Sequence, residues 1–320
     1  MKILAIQTRM GIGDTVIFLP FIKALYKKYN SAISLLVKEN SKADQYLYQT
    51  SYIDNIITLE KDNKNNDRNR GLAGILNLIN EIKRYNFDKI FIFNSSLRFN
   101  LIARLSKIPE IYQYPLLSKN QQHIINFPKK FMKEKLNLEI NEDPDIQVNN
   151  SQIEEAKQKF QINDDKLNIL LGIGGSGPTK RIPAKTFLNV IDRILKVKKC
   201  KFFLATGKNS EEQLILNEIL NSKFKNFCQP LDNLTIKETL PIIKCCNLSI
   251  CNDTSFSHLS AALSVKTITL MADTPLIYGN YNSKMFPIIP DGESTVTHKT
   301  LGKDKINPEK IFNKFIEIIN

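Results

Sequence analysis

Short apolar runs separated by longer amphipathic stretches recur along the chain, and the pattern breaks off and restarts at NEDPDIQVNN, residues 141–150. Runs rich in Ile, Leu, Val and Phe read as strands buried on both faces. The amphipathic stretches between them read as helices that carry the chain back for parallel pairing. In the first half this places strands at Lys2–Ile6, Ile33–Val37, Asn55–Leu59, Lys89–Phe93 and Glu110–Tyr114, with helices at Asp14–Tyr29 and Gly71–Arg84. The polar, proline-containing segment 141–150 has neither period and reads as a linker. A helix at Ser151–Phe160 follows it, then strands at Leu167–Leu171, Lys201–Leu204, Leu248–Cys251 and Thr267–Leu270. The expectation is an α/β chain of two doubly wound, Rossmann-like units, residues 1–150 and 151–320, in keeping with ~150 residues per domain.

In open parallel sheets ligands bind beyond the carboxyl ends of the strands. Loops 8–14, 172–180 and 252–255 are therefore where chemistry is expected, with a cleft between the two units as the natural site.

Composition narrows the partners. The N-terminus lacks the long apolar core of a signal peptide, and no stretch approaches the roughly 20 apolar residues of a membrane span, so a cytoplasmic protein is expected. Cys200, Cys228, Cys245, Cys246 and Cys251 form no C-x-x-C pair, and His123, His258 and His298 stand far apart. Free, packed thiols are expected rather than a metal centre. The formal charge of +13 suits nucleic acid, an anionic membrane surface or phosphorylated substrates. Its lysines are scattered through the chain, and no RNP-like aromatic motif or zinc-finger spacing accompanies them, so nucleic acid ranks last. The low-complexity run Lys61–Arg70 reads as a solvated loop.

Three loops carry the candidate chemistry. RMGIGDTV, residues 9–16, follows the first strand and brings Arg9, Gly11, Gly13 and Asp14 to its carboxyl end. A cap at the start of the next helix is the plainer reading of Asp14, worth about 1 kcal/mol to the fold. After Leu167–Leu171 comes GIGGSGPTKR, residues 172–181, and then a helix opened by Pro183. Glycines admit an anion close to the backbone, a helix N-terminus offers free N–H groups, and Lys180 adds a charge. A P-loop needs Gly-Lys-Ser/Thr, which this loop lacks; a glycine-rich turn with a solvated lysine is the alternative. The third loop, NDTSFSH, residues 252–258, holds more polar residues than one cap requires. His258 is as well explained by packing as by a ligand.

RMGIGDTVIFLP, GGSGPTKRIP and NDTSFSHLSAAL, taken in that order, resemble the motif set of the heptosyltransferases, glycosyltransferase family nine. The resemblance covers nearly the whole chain and implies the GT-B fold, with acceptor held by the first domain and nucleotide-sugar donor by the second. The last helix is a candidate to pack back on the first domain. It implies inverting, metal-independent transfer, most simply of heptose from ADP-heptose to a hydroxyl of a lipopolysaccharide-core or related glycan. Asp14 would then be the general base, Ser176, Thr179 and Lys180 would hold the diphosphate, and Lys180 would support its departure. Asp253 would contact the sugar, with Thr254 and Ser255 near the diphosphate and His258 also on the donor side, and Glu211 would match the ribose-binding glutamate. Arg9, Gly11 and Gly13 would line the acceptor side. Two residues depart from the family pattern: Ser255 stands where Gly is usual, and Ile182 where Trp is usual.

The charge suits a phosphorylated, lipid-linked acceptor and peripheral contact with an anionic membrane. Two other readings stay open. Gly11-x-Gly13 begins a dinucleotide fingerprint, with Glu39 after the second strand, although Val16 takes the third glycine position; this would make the chain an NAD(P)-dependent oxidoreductase. A non-catalytic nucleotide-sugar binding protein would bind without turnover.

Overall fold

The computed structural model describes residues 1–59, 71–116, 123–163 and 165–320. The segment read as a solvated loop, Lys61–Arg70, lies outside the described residues. The chain divides into two compact units, Met1–Gln147 and Val148–Asn320.

The first unit holds strands β1 (Ile3–Ile6), β2 (Ile33–Lys38), β3 (Ile53–Leu59), β4 (Lys89–Ile92) and β5 (Glu110–Gln113). Its helices are α1 (Ile12–Tyr29), α2 (Ala43–Tyr46), α3 (Gly71–Tyr85), α4 (Leu97–Leu105) and α5 (Asn126–Leu136). Every pairing is parallel, in the order β3-β2-β1-β4-β5. All four residues of β1 are buried, as a strand covered on both faces requires. Leu78, Ile79 and Ile82 of α3 and Phe99, Ile102 and Ala103 of α4 pack with Leu4, Ile6, Ile90 and Ile92 of the sheet. Spacings of three and four residues place each helix's apolar groups on one face.

The second unit begins with α6 (Asn150–Phe160) and holds strands β6 (Leu167–Gly172), β7 (Cys200–Ala205), β8 (Cys228–Pro230), β9 (Leu248–Asn252), β10 (Thr267–Leu270) and β11 (Met285–Ile288). Helices α7 (Ala184–Leu195), α8 (Ser210–Leu220), α9 (Ile236–Lys244), α10 (Ser255–Ala262) and α11 (Pro308–Ile319) complete it. The order is β11-β10-β9-β6-β7-β8, again all parallel. Sequence reading finds every central strand and misses β8 and β11. Both are edge strands carrying a proline, Pro230 and Pro287, which breaks the strand signal and is tolerated only at a sheet edge. Helix α11 buries Ile311, Phe315 and Ile318 in the core of this unit, together with Phe187, Val190 and Ile194 of α7.

The expected α/β class with two doubly wound parallel sheets holds. Residues 141–147, read as linker, are docked on the first unit. Tyr52 Oη donates to the Asp145 carbonyl at 2.8 Å, Lys23 Nζ lies 3.2 Å from Asp145 Oδ2, and Ile146 is buried. The five cysteines are free thiols, with Cys200, Cys246 and Cys251 buried. Among the described residues no helix is long and apolar enough to cross a membrane.

Strand order adds what periodicity cannot supply. β1 lies between β2 and β4, and β6 lies between β7 and β9, so each is the strand from which the chain winds first one way and then the other. At such a switch point the two adjacent loops diverge and leave a crevice beyond the strand end. RMGIGDTV follows β1 and GIGGSGPTKR follows β6, so both glycine-bearing loops open at switch points.

Candidate active site

The site in the second unit is built at the carboxyl ends of three neighbouring strands, β9, β6 and β7. β6 and β9 approach so closely that a Cβ on Gly172 would sit 2.6 Å from Cys251 Sγ, which requires glycine there. The loop after β6 is then tied down from both sides. Asn252, fully buried at the end of β9, donates through Nδ2 to the carbonyls of Ile173 at 3.0 Å and Gly174 at 2.9 Å. From the other side, Glu212 Oε1 accepts the Gly175 N–H at 2.6 Å.

Glu212 sits in a cradle of glycines. A Cβ on Gly174 would lie 2.5 Å from its Oε1, and one on Gly207 would overlap its Oε2. Asn209 caps α8 by accepting from the Glu212 N–H at 2.9 Å, and its side-chain amide returns a hydrogen bond to Glu212 Oε2. The carboxylate is 6% exposed with its hydrogen bonds met. Glu211, which sequence reading advanced, is instead 63% exposed and paired with Arg181, whose Nε donates to the Gly175 carbonyl at 2.9 Å. The glutamate built into this site is therefore its neighbour. Asn209-Ser-Glu-Glu212 has the spacing of a capping box, and that signal points to the third helical residue rather than the second.

Lys180 and Asp253 join the two loops. Lys180 Nζ lies 2.8 Å from Asp253 Oδ2, with the carboxylate side chain 5% exposed. His258, on the first turn of α10, places Nε2 3.7 Å from Asp253 Oδ1. Burial raises the Asp253 carboxyl, but the adjoining His258 imidazole and Lys180 ammonium outweigh it and hold the group well below the usual carboxylate range. A permanent charge pair thus stands at the crevice. Thr254 caps α10 by accepting from the Phe256 N–H at 3.3 Å, and Ser255 opens the helix.

Four predicted residues, Lys180, Asp253, Thr254 and His258, are thus assembled by direct contacts or as consecutive cap residues. Ser176 is exposed and Thr179 half-buried in the same loop. Ile182, in the position where the family usually has Trp, is fully buried in the core, so this departure fills the core and not the crevice. Sequence reading counted Asn252 only as one of a polar run and gave Arg181 no role of its own; the bonds of Asn252 reach a loop far away in the chain. Sequence reading missed Tyr281, whose hydroxyl lies 2.9 Å from His258 Nδ1. Thr206 Oγ1 and Asn252 Oδ1 are buried beside the glycine loop without a hydrogen-bond partner among the described residues.

In the first unit, Gly11 is the N-cap of α1 with φ +99°, a conformation suited to glycine. Asp14 is therefore the third helical residue, not the cap, and its half-buried carboxylate lies in the first turn, where the helix dipole favours negative charge. Thr15 Oγ1 donates to the Gly11 carbonyl at 3.2 Å. Gly13 lies between the cap and Asp14, and Arg9 immediately precedes the turn. Among the described residues no group of three or more His, Cys, Asp or Glu side chains is placed to hold a metal ion.

The model of glycosyltransferase family 9 (heptosyltransferase) matches residues 75–289. Lipooligosaccharide heptosyltransferase 2 of Campylobacter jejuni is 26% identical, covering 95% of this chain and 94% of its own length. Among solved structures, the Escherichia coli ADP-heptose lipopolysaccharide heptosyltransferase II superposes with a TM-score of 0.74 at 16% identity, covering 99% of this chain and 98% of that one. The family 9 glycosyltransferase of Veillonella parvula superposes at 0.80 and 18% identity, covering 99% and 96%. The family match spans most of the chain and includes the loops holding Lys180, Glu212 and Asp253, so this protein belongs to glycosyltransferase family nine and has the GT-B fold.

Proposed function

We propose that the chain transfers heptose from ADP-heptose, with inversion, to a hydroxyl of a phosphorylated lipooligosaccharide-core or related glycan. Glycosyl transfer follows from the family, which sets aside hydride transfer by the Gly11-x-Gly13 loop. The donor is inferred from the relatives, one of which is an ADP-heptose enzyme by its description.

The observation that carries the site is Lys180 held by buried Asp253 at the β6 switch point. Diphosphate would lie against the glycine loop, near Ser176, Thr179, the Lys180 ammonium and the N-terminus of α10 at Thr254 and Ser255. On this reading Glu212, which is tied to the Gly175 N–H, is taken in place of Glu211 as the carboxylate of the ribose side. The acceptor oxygen attacks the anomeric carbon, and its proton passes to Asp14. The bond from that carbon to the diphosphate oxygen breaks, and ADP leaves with the electron pair, supported by Lys180. Arg9, Gly11 and Gly13 form the turn that presents Asp14 to the acceptor.

A thermal-shift screen of ADP-, UDP-, GDP- and dTDP-sugars tests the donor, since a ligand for the native state raises its apparent stability. ADP-heptose should give the largest shift. A shift confined to another nucleotide would overturn the donor assignment.

Helix α4 supports a reading of peripheral contact with an anionic bilayer. Leu97, Leu101 and Leu105, spaced four residues apart on one face, are 57%, 46% and 48% exposed. Arg104 and Lys107 flank them, and no acidic residue occurs between Asp88 and Glu110. Apolar ridges with cationic borders partition into headgroup regions. Flotation with anionic vesicles should carry the protein upward and zwitterionic vesicles should not. Equal flotation of the Leu101→Asp variant would remove α4 from the contact.

A further inference from the structure

The connection from β10 to β11, residues 271–284, crosses the first turn of α10. It is pinned on both sides of Tyr281. Gly279 lies against the Met271 side chain with no room for a Cβ, and Asn282, 4% exposed, accepts the Lys284 N–H at 2.7 Å. Between these anchors the Tyr281 ring stacks on His258, with centroids 5.6 Å apart and planes 24° from parallel. Its hydroxyl lies 2.9 Å from His258 Nδ1. His258 is 5% exposed, so the ring is held by its neighbours and not by solvent.

The two imidazole nitrogens therefore have different partners: Tyr281 Oη at Nδ1, and Asp253 Oδ1, 3.7 Å away, at Nε2. A neutral imidazole carries one proton, and the choice of nitrogen follows from what each faces. A phenol hydroxyl can donate to an unprotonated Nδ1, whereas a carboxylate can only accept. If the proton sat on Nδ1, the Nε2 lone pair would face the carboxylate and repel it. Proton on Nε2, with Tyr281 donating to Nδ1, satisfies both contacts. Lys180 already occupies Oδ2 of the same carboxylate, so His258 is left to hold Oδ1.

We propose that Tyr281 is a positioning residue of the transfer reaction: it fixes the Nε2–H tautomer of His258, which holds the Asp253 carboxylate in place for the bound donor. The chain of contacts runs Tyr281, His258, Asp253, Lys180. The inference rests on the reading of Lys180 and Asp253 as donor-site residues.

Three histidines make the tautomer directly observable, because nitrogen-15 histidine spectra contain three ring systems, and His258→Gln assigns the relevant one. Spectra from about pH 6 to about pH 9 bracket the ordinary histidine value. The wild-type His258 ring should show protonated Nε2, and Tyr281→Phe should move it to protonated Nδ1 or to a mixture. Turnover is read as ADP release from ADP-heptose with a deep-rough lipooligosaccharide acceptor. Tyr281→Phe should lower kcat by about 2- to 10-fold, the worth of one hydrogen bond between neutral groups, with ADP affinity nearly unchanged. His258→Gln supplies a fixed amide donor with no tautomer to choose, and in that background Tyr281→Phe should have little further effect on kcat.

An unchanged His258 tautomer in Tyr281→Phe overturns the proposal. So does an unchanged kcat, or a full loss from Tyr281→Phe in the His258→Gln background, which would mean that Tyr281 acts by itself. Failure of ADP to perturb the His258 signals would instead sink the donor-site reading, while the tautomer result would stand by its own spectrum.

Discussion

Lys180 and Asp253, 73 residues apart in the chain, meet at 2.8 Å across the ends of two adjacent strands. The Asp253 side chain is nearly inaccessible, while the Lys180 side chain retains about a quarter of its exposure. A buried ion pair of this kind contributes little net stability, but removing one partner strands the other at a cost of about 3–5 kcal/mol. Its persistence fits a site where charge has a use.

Lys180→Met should therefore do two things, lowering the melting temperature and weakening ADP binding. Lys180→Met combined with Asp253→Asn removes both charges and should recover most of the stability but none of the affinity. Calorimetric titration with ADP beside thermal unfolding separates the effects. Wild-type affinity in the double variant would remove Lys180 from the diphosphate site.

Asp253 also sets an acid limb. Its folded carboxyl is depressed below the unfolded value, so its contribution to stability is complete above the unfolded value of ~3.9 and is lost as pH falls through the folded one. Lys180→Met removes one cause of the depression. The acid-unfolding midpoint, followed by circular dichroism, should move to higher pH in that variant; an unmoved midpoint would mean the lysine does not support the carboxylate.

Asp14→Asn keeps the size of the side chain at the third residue of α1. Loss of its charge near the helix N-terminus should cost about 0.3–1 kcal/mol. ADP affinity should stay at the wild-type value while turnover falls by about 10²- to 10⁴-fold, the usual worth of a general base. Full turnover would exclude Asp14 from proton transfer.

The two adjacent glutamates should separate cleanly. Glu211→Gln removes the exposed partner of an ion pair whose Arg181 side chain is largely buried and also held by the Gly175 carbonyl, and should change stability by less than about 1 kcal/mol. Glu212→Gln sets an amide N–H₂ against one of the two groups that donate to this carboxylate, and should cost about 1–3 kcal/mol and weaken ADP binding. Equal effects on melting temperature and affinity would contradict the assignment of the buried role to Glu212.

Gly174→Ala tests the cradle itself. The new methyl would meet Glu212 Oε1 at 2.5 Å and Thr206 Oγ1 at 3.1 Å. Overpacking should destabilise by about 1–3 kcal/mol and displace the loop that carries Lys180. A thermal melt and an ADP titration matching wild type would show that the loop has slack.

Much of this architecture is a local matter and was readable from residues alone. ILAI and ILLG are apolar runs without alternation, as strands covered on both faces are, and the helices between the strands have three-and-four spacing. Glycines at 172, 174 and 175 and the polar run after Asn252 marked the loops with chemistry. The order of strands was not readable, because parallel pairing is chosen by how helices cover both faces of the whole sheet. That order makes β6 the neighbour of both β7 and β9, and so brings Glu212, Lys180 and Asp253 to one crevice. That Glu212 and not Glu211 is tied to the glycine loop was likewise decided in space. A single residue's step along a helix turns the side chain by about 100°, so one carboxylate faces the glycines and its neighbour faces solvent. Tyr281 carried no local signal at all: its role exists only because the connection after β10 folds back over the first turn of α10, where a phenol meets an imidazole.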